Sequence, residues 1–361
     1  MKITRFFGWM VMSVVIAWLM VSCNASTNQK PVDAENWVWM DWQGDFSGKE
    51  WSRKFKELAK LGFHGIHLRQ DDPQKMADVA PLAKKAGLEI HAWIIVMNIR
   101  SREVKEAHPD WFTVSREGKS SLDHPPYVGY YSWLCPTKEP VQTYLKEWAG
   151  AMAGVPGLDG VHLDYIRHCD VILPINLWEK YDIVQDQEYP PYDFCYCDDC
   201  RRTFEAQTGI DPMALEDPPS NKEWIQFRYD GITGVVSTIA SEVHARGKKL
   251  SAAVFPTPDI ARTLVRQDWT TWELDMVFPM IYHSFYREDV DWIGTATGEG
   301  VQTLDGAFPL YSGLFVPALS PDELARAIQV SIDNGAQGVT IFAERSMSKK
   351  HRKVMAKICN K

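Results

Sequence analysis

The chain has 361 residues, 45% of them apolar and 24% charged, a balance that excludes disorder and fibrous structure. Its 39 Lys and Arg against 47 Asp and Glu give a net charge of −8 with no basic cluster, which argues against nucleic acid or an anionic lipid surface as partner. The length suits two ordinary domains or one α/β barrel, and the 15 tryptophans suit either a large core or flat faces for sugar rings.

Lys2 and Arg5 precede the uncharged apolar run Phe6 to Val21, and Val21-Ser22-Cys23 opens onto the polar Asn24 to Asp33. This order predicts a signal peptide over residues 1–22. A small residue directly before Cys resembles the bacterial lipoprotein cleavage site, with Cys23 as the lipidated N-terminus and Met20 where that pattern usually has Leu. An uncleaved anchor is the alternative, but the run is short of the ~20 residues a span needs. Residues 23–35 then read as a polar tether. The expected address is the cell envelope, periplasmic or surface, with membrane contact only through the lipid.

From Asn36 onward eight β-rich runs alternate with amphipathic helical stretches. The runs are Trp37–Trp42, Gly65–Gln70, Glu89–Asn98, Gly160–Arg167, Leu250–Pro256, Met276–His283, Leu310–Val316 and Gly338–Glu344. Helical patterns such as Trp51–Leu61, Gln74–Ala86, Pro140–Met152, Trp224–Arg246 and Pro321–Asn334 separate them, several closed by Gly62, Gly87, Gly247 or Gly335. With no Gly-rich phosphate fingerprint, eight β-then-α units predict a single (β/α)8 TIM barrel over 36–361, with long loops after strands 3 and 4. A doubly wound open sheet is the alternative.

Alternate residues of a barrel strand face the helices and the barrel axis. Val38/Met40, Ile66/Leu68, Ile90/Ala92, Val161/Leu163, Val277/Pro279/Ile281 and Val339/Ile341 form one apolar phase, expected against the helices. The opposite phase holds Trp39/Asp41, His67/Arg69, His91/Trp93, His162/Asp164, Met280/Tyr282 and Phe342/Glu344. Polar groups at the C-terminal ends of barrel strands mark an active site. Asp164 is the central candidate, as nucleophile or proton donor. Glu344 and Asp41 are the in-phase second carboxyls that glycoside cleavage commonly uses. His67, Arg69, His91, Trp93, Asn98, His162, Arg167, Tyr282 and His283 are candidates for orienting a sugar. A salt bridge from Asp164 to Arg167 or Arg69 is the structural alternative.

The run Leu158-Asp-Gly-Val-His-Leu-Asp-Tyr-Ile-Arg167, with Glu89-Ile-His-Ala-Trp-Ile94 and Val277-Phe-Pro-Met-Ile-Tyr282, resembles the glycoside-hydrolase-like family 10 barrels, in order, over residues 36 to about 345. The resemblance implies a glycan hydrolase, with relatives that include an envelope lipoprotein cleaving peptidoglycan strands stripped of stem peptides. The same run is similar to the chitinase motif Asp-Gly-x-Asp-x-Asp-x-Glu, but His162 replaces its second Asp and Ile166 its catalytic Glu. One carboxyl would suffice if the 2-acetamido oxygen of the sugar were itself the nucleophile. The expected substrate is an envelope or environmental polysaccharide or oligosaccharide. Within that class the one-carboxyl scheme points to an N-acetylhexosamine-containing envelope glycan, with Tyr282 polarising the acetamido group, and a two-carboxylate mechanism is its alternative. A non-catalytic glycan-binding lipoprotein is the competing expectation.

Cys195-Tyr-Cys197-Asp-Asp-Cys200 places three thiols in one loop, and tetrahedral zinc takes four such ligands. Cys135 is the expected fourth and Cys169 its rival, while one disulfide plus a free thiol is the alternative. A Cys-Pro after strand 3 with this cluster after strand 4 resembles the zinc site of family 42 β-galactosidase barrels. The zinc is expected to be structural, and no organic cofactor is expected. The long loops also carry Trp111, Phe112, Tyr127, Tyr130, Tyr131, Trp133, Trp178, Tyr181, Tyr189 and Tyr192, rings suited to a glycan cleft or to packing the loops together.

Overall fold

Each β-rich run becomes one parallel strand in the computed structural model, which describes residues 34–359. The strands are β1 (Asn36–Asp41), β2 (Phe63–Arg69), β3 (Glu89–Ile95), β4 (Gly160–Asp164), β5 (Lys249–Val254), β6 (Met276–Pro279), β7 (Tyr311–Phe315) and β8 (Gly338–Phe342). They pair in the order β6-β5-β4-β3-β2-β1-β8-β7, and the last seam closes through the parallel bridges Val277↔Leu310 and Met280↔Gly313. Closure depends on Gly313, where a Cβ would lie 2.6 Å from the Pro279 carbonyl oxygen. The result is a single (β/α)8 barrel.

Between and after the strands run α1 (Gly48–Lys60), α2 (Pro73–Lys85), α3 (Arg102–Ala107), α4 (Glu139–Ala153), α5 (Asp198–Thr208), α6 (Lys222–His244), α7 (Pro258–Val265), α8 (Trp292–Leu304), α9 (Pro321–Asp333) and α10 (Lys349–Cys359). Side-chain caps fix several starts: Ser47 on α1, Asp72 on α2, Asn221 on α6, Thr257 on α7, and a reciprocal Ser320–Glu323 capping box on α9. Trp51, Phe55 and Leu58 repeat at helical spacing and bury one face of α1. Among the described residues no helix is long and apolar enough to cross a membrane. Cys23 and the segment 1–22, expected from the sequence to be a signal peptide, lie outside the described residues.

The strand phases divide the core in two. Val38, Met40, Ile66, Leu68, Ile90, Ala92, Val161, Leu163, Val277, Ile281, Val339 and Ile341 pack in the layer between strands and helices. Inside the barrel sit Trp37, Trp39, Trp93, Ile95, Ala253, Met276, Phe278 and Tyr311. Gly65 makes room for this filling, since a Cβ there would meet the Trp37 ring at 2.4 Å. Strands β3, β4 and β6 end earlier than their apolar runs. Beyond Pro279, the amides of Ile281, Tyr282 and His283 bond carbonyls two residues back, so the chain coils into turns at the barrel mouth. Beyond Asp164, Tyr165 adopts a left-handed φ of 53° that a strand cannot contain.

Candidate active site

A cavity of about 450 Å³ opens at the C-terminal end of the barrel. Its floor is Trp93, Asp164, Met280, Tyr282, Phe315 and Phe342, from strand ends, and its walls come from the loops after β3 and β4, including Tyr127, Tyr131, Leu173, Pro174 and Tyr181.

Asp164 is held from two sides. The Trp93 indole N–H donates to Oδ2 at 3.0 Å, and the Tyr165 amide donates to Oδ1 at 2.7 Å. The left-handed Tyr165 backbone turns that amide toward the carboxyl. Burial pushes the Asp164 carboxyl above its ordinary value; the two donors and the charges of Arg167 and Arg69 pull the other way without prevailing. Such a group keeps its proton to higher pH than a surface aspartate and can give it to a leaving oxygen. Beside it, the buried Tyr282 hydroxyl has no hydrogen-bond partner among the described residues. Burial first, then the Asp164 charge, hold that hydroxyl well above the usual phenol range, so it stays a donor.

Of the other two carboxyls, Asp41 lines the cavity and pairs with Arg345 at 2.6 Å. Glu344 does not line it. After Ala343 the chain enters a short 3-10 turn, and the Glu344 carboxylate meets Arg352 at 2.5 Å and Lys54 at 3.5 Å, on the side of α10 and α1. A period-two reading of the sequence carried the strand alternation two residues past the end of β8. Arg69 and Arg167 do line the cavity. Arg167 pairs with Asp170 at 3.1 Å and lies against the rings of Trp133, Tyr165 and Phe255.

His67, His91 and His162 lie below the cavity, fully buried in the barrel. His162 accepts from the Trp39 indole at 3.0 Å, and its Nδ1 and that of His91 both lie 2.9 Å from the Ser251 hydroxyl. His67 stacks on His162 with ring centroids 3.8 Å apart. Their role visible here is to fill the barrel. Asn98 is also buried, its Oδ1 accepting from the Ser132 amide, and His283 does not line the cavity. The sequence reading did not single out Arg100, Asp170, Phe255, Phe285, Tyr286 or Phe315, all of which line it. Phe315, the in-phase residue ending β7, and Phe255, in phase with Ser251 and Ala253 one residue past β5, could have been found; the others lie on connections whose course no periodicity gives.

Cys135, Cys195, Cys197 and Cys200 converge, all buried, with their sulfurs within 4.8 Å of one another. Cys135 Sγ lies 3.6 Å from Cys197 Sγ and 3.4 Å from Cys200 Sγ, far beyond a disulfide bond and close to the ~3.8 Å between sulfurs on a tetrahedral zinc ion. The amides of Val114 and Cys197 point at Cys195 Sγ, the kind of outer donor that steadies a thiolate ligand. Four soft ligands without an open position suit a structural metal ion. Cys169 is buried elsewhere and takes no part. The clip joins the loop after β3 to the loop after β4, the two that wall the cavity.

The sequence profile of the glycosyl hydrolase-like 10 family matches residues 62–304, more than half of the chain. The chain belongs to this family. No curated protein matches it significantly. Among solved structures it is similar to the glycoside hydrolase domain of PgaB (BpsB) from Bordetella bronchiseptica, at 13% identity and a TM-score of 0.67 over 91% of this chain and 99% of that one. It is also similar to the catalytic domain of a β-amylase from Paenibacillus polymyxa, at 10% identity and a TM-score of 0.63 over 90% and 97%. A β-galactosidase from the psychrophilic Marinomonas ef1 matches at 9% identity and a TM-score of 0.60, with 90% of this chain covering 59% of that one. Identities this low establish the shared barrel. Family membership, on that barrel, supports a carbohydrate-acting hydrolase.

Proposed function

We propose that this member of the glycosyl hydrolase-like 10 family is an exported glycoside hydrolase, lipid-anchored through Cys23, that cleaves an N-acetylhexosamine-containing envelope glycan with Asp164 as general acid. The observation that carries the reading is the burial-raised Asp164 carboxyl at the floor of an aromatic-walled cavity, beside the unpartnered hydroxyl of Tyr282. Glycan cleavage needs a proton donor at the leaving oxygen and an electron-rich group at the anomeric carbon. Asp164 meets the first need. For the second, Glu344 is engaged with Arg352 away from the cavity and Asp41 is offset by Arg345, which favours the substrate's own 2-acetamido oxygen. Tyr282 would donate to that acetamido group and steady its attack. The four cysteines would hold a structural zinc ion, which binds the two wall loops together and takes no part in the reaction.

The competing reading is a glycan-binding lipoprotein without turnover, favoured by the buried Ile166 where chitinase barrels carry their catalytic Glu. Release of new reducing ends from a glycan panel decides between them. The hydrolase releases them from N-acetylated chains, and Asp164→Asn abolishes the release. A protein that holds oligosaccharides without shortening them is the binder.

A further inference from the structure

The cavity lining carries three carboxyls and three guanidiniums, and most of these charges are already matched. Asp41 is paired with Arg345, Arg69 with Asp71 and Arg167 with Asp170. Asp164 is the carboxyl that burial biases toward its neutral form. Arg100 is left over. It lines the cavity, is exposed to solvent and forms no ion pair or hydrogen bond among the described residues.

Arg100 is nevertheless held in place. On its N-terminal side the backbone is locked by the Asn98↔Trp133 bridge and by the Ile99 amide bonding the Ser132 carbonyl at 3.0 Å. On its C-terminal side Ser101 caps α3 through the Val104 amide. Its guanidinium lies 4.8 Å from the centroid of the Tyr130 ring, which is itself 45% exposed. A guanidinium stacked on a ring keeps its in-plane N–H donors free and loses little side-chain freedom on binding. It thus stands at the cavity mouth as an unmatched, fixed positive charge with donors suited to a planar or tetrahedral oxyanion.

We propose that Arg100 forms an anion-binding subsite at the cavity mouth, so that the preferred glycan carries a carboxylate or sulfate substituent. This rests on the hydrolase reading only for what the bound glycan then undergoes. The guanidinium, held over the Tyr130 ring, would take the oxygens of that substituent. Arg69 and Arg167, the other guanidiniums of the lining, are engaged by Asp71 and Asp170.

The test is binding by the full-length Asp164→Asn protein, which removes turnover from the measurement. The probes are matched pairs on several backbones: hexuronate-containing oligosaccharides with their carboxyl-reduced forms, and O-sulfated chains with their desulfated forms. We expect at least one acidic member to bind roughly tenfold or more tightly than its neutral twin, with the preference shrinking as salt is raised. Adding Arg100→Ala should erase that difference, and Arg100→Lys should restore part of it. The two kinds of pair separate a carboxylate from a sulfate subsite. Absence of any acid preference, absence of binding altogether, or a preference that survives Arg100→Ala overturns the proposal. Wild-type cleavage without acid preference overturns it and leaves the hydrolase reading standing. Acid-selective binding without cleavage does the reverse.

Discussion

The Trp93 indole N–H donates to Asp164 Oδ2 at 3.0 Å, joining the end of β3 to the end of β4 across the cavity floor. The bond fixes the direction of the carboxyl and limits how far burial can raise its pKa. Asp164→Asn keeps the geometry and removes the proton, so it should lower turnover at least ~100-fold with the fold intact. Near-wild-type hydrolysis by the purified variant excludes Asp164 as the acid.

The same bond sets the pH dependence. Because the acid form of Asp164 is the working form, kcat/KM should fall as pH rises through its raised pKa. Trp93→Phe withdraws a donor from the anion, which raises that pKa further. Its alkaline limb should therefore move to higher pH than that of the wild type. A limb that stays in place, or moves down, assigns the pH dependence to another group.

Glu344 and Asp41 separate the one-carboxyl from the two-carboxyl mechanism. With the acetamido oxygen as nucleophile, Glu344→Gln and Asp41→Asn should each reduce kcat/KM by less than ~10-fold. Glu344→Gln should instead cost about 1–2 kcal/mol of stability, because Arg352 loses a partly buried partner. If either variant is as inactive as Asp164→Asn, a second enzymic carboxylate is required.

Elemental analysis of the purified protein should find about one zinc per chain. Cys135→Ser should lose the metal and Cys169→Ser should keep it, since Cys169 lies outside the four-sulfur cluster. Metal retained in Cys135→Ser, or a mapped disulfide within the four, rejects the site.

Acid should weaken the fold through the barrel histidines. Burial first, then repulsion from His162 and His91 in the case of His67 and from His91 in the case of His162, hold both rings well below their ordinary pKa of 6.5. Above that pH both folded and unfolded chains leave them neutral. Below it only the unfolded chain takes up protons, so stability falls as pH drops from about 7 toward 5. Denaturant midpoints across this range should show the loss, and His67→Phe should lessen it. An unchanged pH slope in that variant removes His67 from the account.

The sequence by itself determined the barrel. Period-two alternation separated the helix-facing Val38, Ile66, Ile90, Val161 and Val339 from the axial residues, because burying the wrong phase would expose every apolar side chain of a strand. Asp164 could likewise be placed at the barrel mouth by counting along its strand, Tyr282 reaches the mouth from the turn after β6, and three closely spaced thiols by themselves point to a metal. Tertiary structure decided how deep each axial residue sits. His67, His91 and His162 share a phase with Asp164 but lie one layer lower, where the barrel closes over them. It also decided what happens after each strand ends: Glu344 swings to Arg352, Cys135 rather than Cys169 completes the four sulfurs, and Arg100 is left unmatched on Tyr130. These outcomes depend on which loops meet in space, and alternation along one strand carries no information about the neighbours another loop will bring.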